Sequence, residues 1–445
     1  MSLRKKVVSS AAALAIMGSS LVAAPNASTQ VATDGTGDYL VFPVYAADNN
    51  GNWKTNVKVV NTNTTAAVVA KVVIREAVNS VEKLDFVIYL SPGDVWEAEI
   101  YSDAANNVYI KSTDDSMIQG GQIASAQNPI NLALYAPVAP ENYNYGYVEV
   151  YGLGAVNPGL VPDYDGDQYV WGGANTPMDK DDLYRHYVNT LHNQGAGGAQ
   201  GAGWTGVDAN DLYGVEVIYA KNANGNLAMT LPAFAMEGVT GSLANGSAVF
   251  GANSTPNNSI IVGGTGDAAL VTDVINNMIG ALAKTDIYAT YYEGVNGPAE
   301  TKLIMTQPFK YVSGLDSLDC FNFQAVARDQ QENANIQVTE TSGGVVIPDS
   351  CKAESCWLDV TSKVGSFSAG YVDYSNISNY YDFYVNPVTD QVEADGDNAG
   401  ETGLAQDATG ITTVTPAIIP VLMTAKNVEG QNITNIVYPP FRSAD

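Results

Sequence analysis

Basic side chains, imidazoles and thiols are all scarce in this sequence: 20 Lys and Arg stand against 47 Asp and Glu, with two His and three Cys among 445 residues. The deficit of positive charge leaves a formal net charge of −27 and no clusters of Lys and Arg to bind phosphate, so nucleic acid is not expected as a partner and an anionic membrane surface repels the chain. The two imidazoles, His186 and His192, lie six residues apart, off a shared helical face, and read as surface residues rather than as bases. There is no Gly-x-Ser-x-Gly elbow, no His-Glu-x-x-His and no phosphate loop. Gly201-Ala-Gly203-Trp-Thr-Gly206 matches a dinucleotide fingerprint by letter only, because it sits in a Gly-rich tract with no strand before it. No Cys-x-x-Cys occurs, which excludes thioredoxin-like chemistry and c-type haem attachment. Beyond the N-terminus no apolar run is long enough to span a membrane as a helix.

What is present begins with a leader. Met1-Ser-Leu-Arg-Lys-Lys6 is followed by an uncharged stretch from Val7 to Thr33 whose apolar part ends near Ala24. A basic start, an apolar middle and a small-residue exit describe a Sec-type signal peptide over residues 1–27, cleaved between Ala23 and Ala27. Removing its three basic residues takes the formal charge of the mature chain from −27 to −30. Such acidity marks a well-solvated exterior and suits divalent cations. With 46% hydrophobic and 15% charged residues, the chain still has the means to bury large cores, and its length suggests two or three domains.

The 42 Gly, the Asn-rich turns and the 26 Tyr favour strands and loops over helical bundles. From Asp38 onward, short runs alternate apolar and polar residues between turn signals. Val68, Ala70, Val72 and Ile74 share one face while Lys71 and Arg75 point away; Leu84, Phe86, Ile88 and Leu90 form the next inward set; Trp96, Ala98 and Ile100 follow the Ser91-Pro92-Gly93-Asp94 turn. Further strands are expected at 146–151, 213–220 and 226–234, then at 287–292, 302–306, 321–328, 355–360, 369–374, 418–425 and 432–438. The stretch 152–210 interrupts this pattern with an acidic loop, a helix from Asp179 to His192 and the Gly-rich tract. Val271, Val274, Ile275, Met278, Ile279 and Leu282 recur at helical spacing, with Asp267 at the start and Lys284 at the end. The expected fold is therefore mainly β: two antiparallel, Ig-like β-sandwich domains with a helical and Gly-rich insertion and one linking helix. The boundaries are 28–266 for the N-terminal domain with its insertion at 152–210, 267–284 for the linking helix, and 285–445 for the C-terminal β domain with a disulfide.

Two features carry candidate chemistry. Asp163, Asp165 and Asp167 alternate around Gly166, a spacing that lets a tight loop wrap calcium, although Ala174 stands where an EF-hand loop has its Glu; solvated turns are the competing reading. Cys320, Cys351 and Cys356 are expected to form one disulfide in an exported chain, the third thiol being buried or bridging to another subunit.

Several segments resemble a family of uncharacterised, Sec-exported proteobacterial cell surface proteins. They are Asp38-Tyr-Leu-Val-Phe-Pro-Val-Tyr45, Trp53-Lys-Thr-Asn-Val-Lys-Val-Val-Asn-Thr62, Arg75-Glu76, Leu84-Asp-Phe86 and Leu90-Ser-Pro-Gly-Asp94, then Gly146-Tyr-Val-Glu-Val150, Thr301-Lys-Leu-Ile-Met-Thr-Gln-Pro-Phe309 and Cys356-Trp-Leu-Asp-Val360. The resemblance implies export, a surface location and a pairing of Cys320 with Cys356 that leaves Cys351 over; it brings no activity, cofactor or catalytic residue. The leading expectation is an exported cell-surface structural protein that is not an enzyme: a self-assembling subunit of an extracellular filament or S-layer-like array whose partners are copies of itself. In that reading the segment Ser28 to Gly37 is free to add as a strand to a neighbour's sheet. The alternative is a surface adhesin that binds glycan or other surface components, with calcium in the insertion loop. An outer-membrane barrel and a secreted hydrolase rank below both.

Overall fold

The computed structural model describes residues 30–47, 53–77, 82–114, 144–164, 178–192, 202–205, 211–222, 225–239, 278–293, 299–308, 321–331, 355–379, 417–428 and 431–443, with shorter pieces between them. The architecture is mainly β, and every strand pair described is antiparallel. Four larger sheets form two sandwich-like pairs.

In the N-terminal half, the first sheet runs Gln30–Val31, Phe234–Glu237, Tyr39–Ala46, Tyr145–Val156, Ala67–Glu76 and Glu82–Leu90, with Trp204–Thr205 also paired to Tyr145–Val156. The second runs Ile130–Asn131, Val108–Ser112, Val95–Ser102, Trp53–Asn61, Leu212–Asn222 and Gly225–Pro232, with Thr36–Gly37 added beside Leu212–Asn222. Period-2 alternation decides which side chains meet between the sheets. Phe42, Val72, Ile74, Phe86 and Val148 come from the first sheet and Val57, Trp96 and Ile100 from the second, and all lie in one core. The ring of Trp96 lies 5.7 Å from that of Phe86. The chain passes from the second sheet back to the first at Pro232 and Ala233, so the run expected as one strand over 226–234 is two.

The C-terminal half repeats the scheme. A third sheet orders Ala334–Ile336, Phe321–Asp329, Gly370–Asn379, Lys284–Tyr291 and Phe441–Ser443; a fourth orders Ser355–Asp359, Glu300–Thr306, Ile419–Val428 and Gln431–Val437. Ile287, Leu303, Phe323, Val372, Tyr374 and Leu422 fill the space between them.

Four expectations change. The insertion begins after Val156 rather than at 152, because Tyr145–Val156 keeps pairing with Ala67–Glu76 to its end, bending only where the register shifts between Gly152 and Gly154. The segment before Gly37 is not free: Gln30 and Val31 pair with Glu237 and Met236, and Thr36 and Gly37 with Tyr213 and Leu212, all within the same chain. The acidic, Gly-rich composition of residues 390–409 reads as a surface loop, yet within it Gln391–Ala394 is a strand paired with Phe383–Asn386. Of the linking helix, residues 278–282 are described and are helical, and a strand starts at Lys284; the part before 278 lies outside the described residues.

Trp96→Ala should destabilise the N-terminal half by about 3–5 kcal/mol, because a fully buried indole leaves a large cavity behind. Urea unfolding monitored by circular dichroism would read this as a lower midpoint with an unchanged slope.

Candidate functional site

The Tyr145–Val156 strand lies between Tyr39–Ala46 and Ala67–Glu76, and its side chains alternate between two buried faces. Val148 and Val150 enter the sandwich core, whereas Tyr147 and Tyr151 enter a second apolar cluster on the far side of the first sheet. Glu149 projects to that far side with them, its side chain 0% exposed. Diagonally across on the adjacent strand, opposite Tyr147, lies Arg75, 3% exposed, whose Nε donates to Glu149 Oε2. The Tyr39 hydroxyl donates to Glu149 Oε1 at 2.8 Å. On the same strand as Arg75, Lys71 places Nζ 2.6 Å from Asp85 Oδ2, with side-chain exposures of 3% and 35%. Lys71 and Arg75 do point away from the sandwich core, as their alternation implies, but not into solvent. A buried carboxylate is tolerated only when its lost hydration is replaced by charge-assisted hydrogen bonds, and Glu149 receives one on each oxygen.

The insertion is what covers this face. Its helix, Lys180–Tyr187, starts where Asp179 caps it by accepting from the backbone N–H groups of Asp181 and Asp182, and continues into a wider turn over Val188–His192. Leu183, Tyr187 and Leu191 fall at helical spacing and pack beside Val73, Tyr89 and Tyr151 of the sheet. Lys180 fastens the first turn: its Nζ pairs with Asp94 and donates to the Tyr89 carbonyl at 2.8 Å and to Ser116 Oγ at 3.0 Å. Burial, reinforced by the neighbouring Tyr187 and Tyr184 hydroxyls, raises the Tyr89 pKa, and burial raises that of Tyr187, so both rings remain neutral packing groups.

His186 is 3% exposed, which overturns its reading as a surface residue. It stacks on Trp204, ring centroids 5.3 Å apart and 17° from parallel. Its Nε2 lies 3.0 Å from the Ala202 carbonyl, which can only accept, so Nε2 carries the proton and Nδ1 accepts from the Tyr164 hydroxyl at 3.2 Å. The Trp204 Nε1–H donates to Thr190 Oγ1 at 2.8 Å. These bonds tie the end of the Gly-rich tract to the helix. Gly203 adopts φ +81°, and a Cβ there would lie 2.5 Å from Leu160 Cδ1. Burial lowers the His186 pKa against an opposing contribution from the Ala202 hydrogen bond, which keeps the ring neutral. Both ring nitrogens are thus committed to holding a loop, and the chemistry they perform is structural.

The other expected site residues are dispersed. Asp163 is exposed, and its Oδ1 accepts from the Gly166 N–H at 2.6 Å, closing a turn; Asp165 and Asp167 lie outside the described residues. Among the described residues no group of three or more His, Cys, Asp or Glu is arranged to hold a metal ion. Cys320 and the side chains of His192 and Cys351 lie outside the described set, while Cys356 is buried in the C-terminal core. Among the buried carboxyls not anticipated from sequence are Glu149 and Glu216. Glu149 could have been found from its position between Tyr147 and Tyr151 on a strand flanked by apolar strands. Glu216 shares the inward parity of Gly214, Ile218 and Ala220, and is fully buried.

No family model matches the chain, and no curated protein matches it. Among solved structures, an α-L-rhamnosidase from Streptomyces avermitilis complexed with L-rhamnose aligns over 95% of this chain and 27% of its own, at 9% identity and a TM-score of 0.15. The chain thus spans about a quarter of that enzyme's length, and so distant a likeness carries no functional weight.

Glu149→Leu alone should cost about 3–5 kcal/mol, because it removes the carboxylate that pairs with the buried Arg75 guanidinium, and Arg75→Met in addition should recover much of the loss. A double-mutant cycle by urea unfolding checks both. Because the folded pKa of His186 is depressed, its contribution to stability is complete above the ordinary value of 6.5 and falls away as pH drops toward the folded value. Trp204 fluorescence should therefore report loosening of the insertion in that acid window for the wild type, and the change should vanish in His186→Phe.

Proposed function

We propose that the chain is an exported cell-surface structural protein, a subunit that assembles with copies of itself into an extracellular filament or S-layer-like array. The observation that carries this reading is the strand Phe441–Ser443. It stands at the end of the third sheet, pairs only on one side with Lys284–Tyr291 among the described residues, and exposes all three of its side chains, Phe441 at 41%. An exposed sheet edge of this kind offers unpaired backbone donors and acceptors to another chain. The leader at residues 1–27 and the acidic composition support a surface location, where a solvated exterior of one sign keeps subunits soluble before they assemble.

A disulfide between Cys320 and Cys356 belongs to the same reading. Its support is that Cys356 is buried in the C-terminal core on a strand of the fourth sheet, while Phe321, the neighbour of Cys320, begins a strand of the third. That bridge would tie the two sheets of the C-terminal sandwich together.

Negative-stain electron microscopy of the mature chain, purified with and without calcium, tests the proposal. Regular filaments or sheets are expected from the wild type, and Phe441→Lys should raise the protein concentration needed for assembly by about tenfold, equivalent to about 1.4 kcal/mol per contact. Dispersed monomers under every condition would overturn it.

A further inference from the structure

The two halves of the chain meet along an apolar seam distinct from either sandwich core. Val44, Ile218 and Leu231 from the N-terminal half pack there against Ile304, Val421 and Ile436 from the C-terminal half. The edge strand of the second sheet, Gly225–Pro232, lies against the edge strand of the fourth, Gln431–Val437, so each half covers an edge of the other. Direct polar ties across the seam include Thr306 Oγ1 to the Pro43 carbonyl at 2.7 Å, the Tyr438 hydroxyl to the Pro232 carbonyl at 2.7 Å and the Ser355 N–H to the Ala77 carbonyl at 2.8 Å.

One residue works against this closure. Glu216 is fully buried two positions before Ile218, and neither carboxyl oxygen has a hydrogen-bond partner. Its ladder neighbours are Val57 and Leu231. Across the seam the ionisable group coupled to it is the Tyr438 hydroxyl, whose pKa is raised by its own burial first and by Glu216 second. No described cation forms an ion pair with Glu216; Lys54 and Lys58, on the adjacent strand, pair with Glu99 and Glu97.

We infer that this seam is an exchangeable self-assembly interface, in which the N-terminal face around Glu216 takes either its own C-terminal half or that of a second copy. The inference rests on the assembly reading and adds a second surface to it, beside the Phe441–Ser443 edge. Every copy carries the same two complementary faces, so contacts made in trans reproduce those made in cis. Because the faces differ from one another, exchange is head-to-tail and extends into an open chain instead of stopping at a symmetric dimer. An unpartnered carboxyl makes closure conditional. Burial holds its pKa well above the ordinary 4.5 when the seam is shut, whereas opening returns it to water. Closure is therefore fully favoured below that ordinary value and is lost as pH rises toward the raised one, the open fraction growing about tenfold per pH unit in between.

The test uses the full mature chain. Light scattering after size exclusion, from pH 5 to 9, should show wild-type oligomers increasing with pH and with concentration, while Glu216→Leu and Glu216→Gln should show no increase with pH. In a second arm, one chain carries Ile218→Glu and another Ile304→Glu, each spoiling one face. Neither alone should show the pH-dependent association, and mixing should add a one-to-one complex through the two intact faces. If the mixed chains stay apart and the Glu216 variants match the wild type, the seam is not exchangeable, even where wild-type filaments show that the chain assembles by another surface. A wild type that never assembles under any condition would overturn both the seam and the assembly reading.

Discussion

Burial of the Tyr145–Val156 strand on both faces is the constraint on which the rest of the N-terminal half depends. In an ordinary sandwich the outer face of each sheet meets water, and alternation sorts apolar residues inward and polar ones outward. Here the outer face of the first sheet carries Tyr147, Tyr151, Tyr89, Glu149 and Arg75, which bury stably only if something covers them and if the charges satisfy one another. The Lys180–Tyr187 helix, the helical residues 278–282, and Ala417 and Ile419 of the C-terminal half supply the cover. Glu149 explains why the cover must be specific: with its side chain out of water, each of the Arg75 and Tyr39 contacts replaces part of the lost hydration, and losing either weakens that compensation in an apolar layer. Insertion and sheet are therefore one cooperative unit, although the insertion interrupts the strand pattern in the sequence.

Much of the β architecture was legible because period 2 is a short-range signal. Val68, Ala70, Val72 and Ile74 do enter the sandwich core, and Trp96, Ala98 and Ile100 meet them from the other sheet. The insertion helix was legible too, since Asp179 in front of Lys180 and the spacing of Leu183, Tyr187 and Leu191 are local properties. What alternation cannot express is what lies beyond the sheet. Lys71 and Arg75 have outward parity, and parity alone does not separate water from a third layer. His186 failed for the same reason: its partners, Tyr164, Ala202 and Trp204, lie 16 to 22 residues away on either side and are brought together only by the fold of the insertion. Glu216 was the reverse case, because its parity was inward and legible, but a single carboxylate among 47 acidic residues attracts no notice without burial to weigh it.

Glu149 and Glu216, two of the unanticipated buried carboxyls, illustrate opposite solutions to the same electrostatic problem. Removing a carboxylate from water costs several kcal/mol, and a protein either replaces the lost hydration or lets the group take up a proton. Glu149 is satisfied as an anion by a guanidinium and a phenol. Glu216 has neither, and burial pushes its pKa well above the usual range, so that it is stable in place as the neutral acid. Their locations match these states. Glu149 sits within a layer that must hold together for the domain to fold, where a permanent ion pair fixes strand register and the docking of Tyr39. Glu216 sits beside the surface that joins two separately cored halves, where a group whose charge state changes with its surroundings makes the joint responsive without disturbing either core. Opening the seam leaves the clusters around Trp96 and around Phe323 intact, since neither contains a residue from the other half. Each half keeps a sandwich core of its own, as the inferred exchange requires, and the outer cluster that Ala417 and Ile419 share with the first sheet has to be covered again in trans along with the seam.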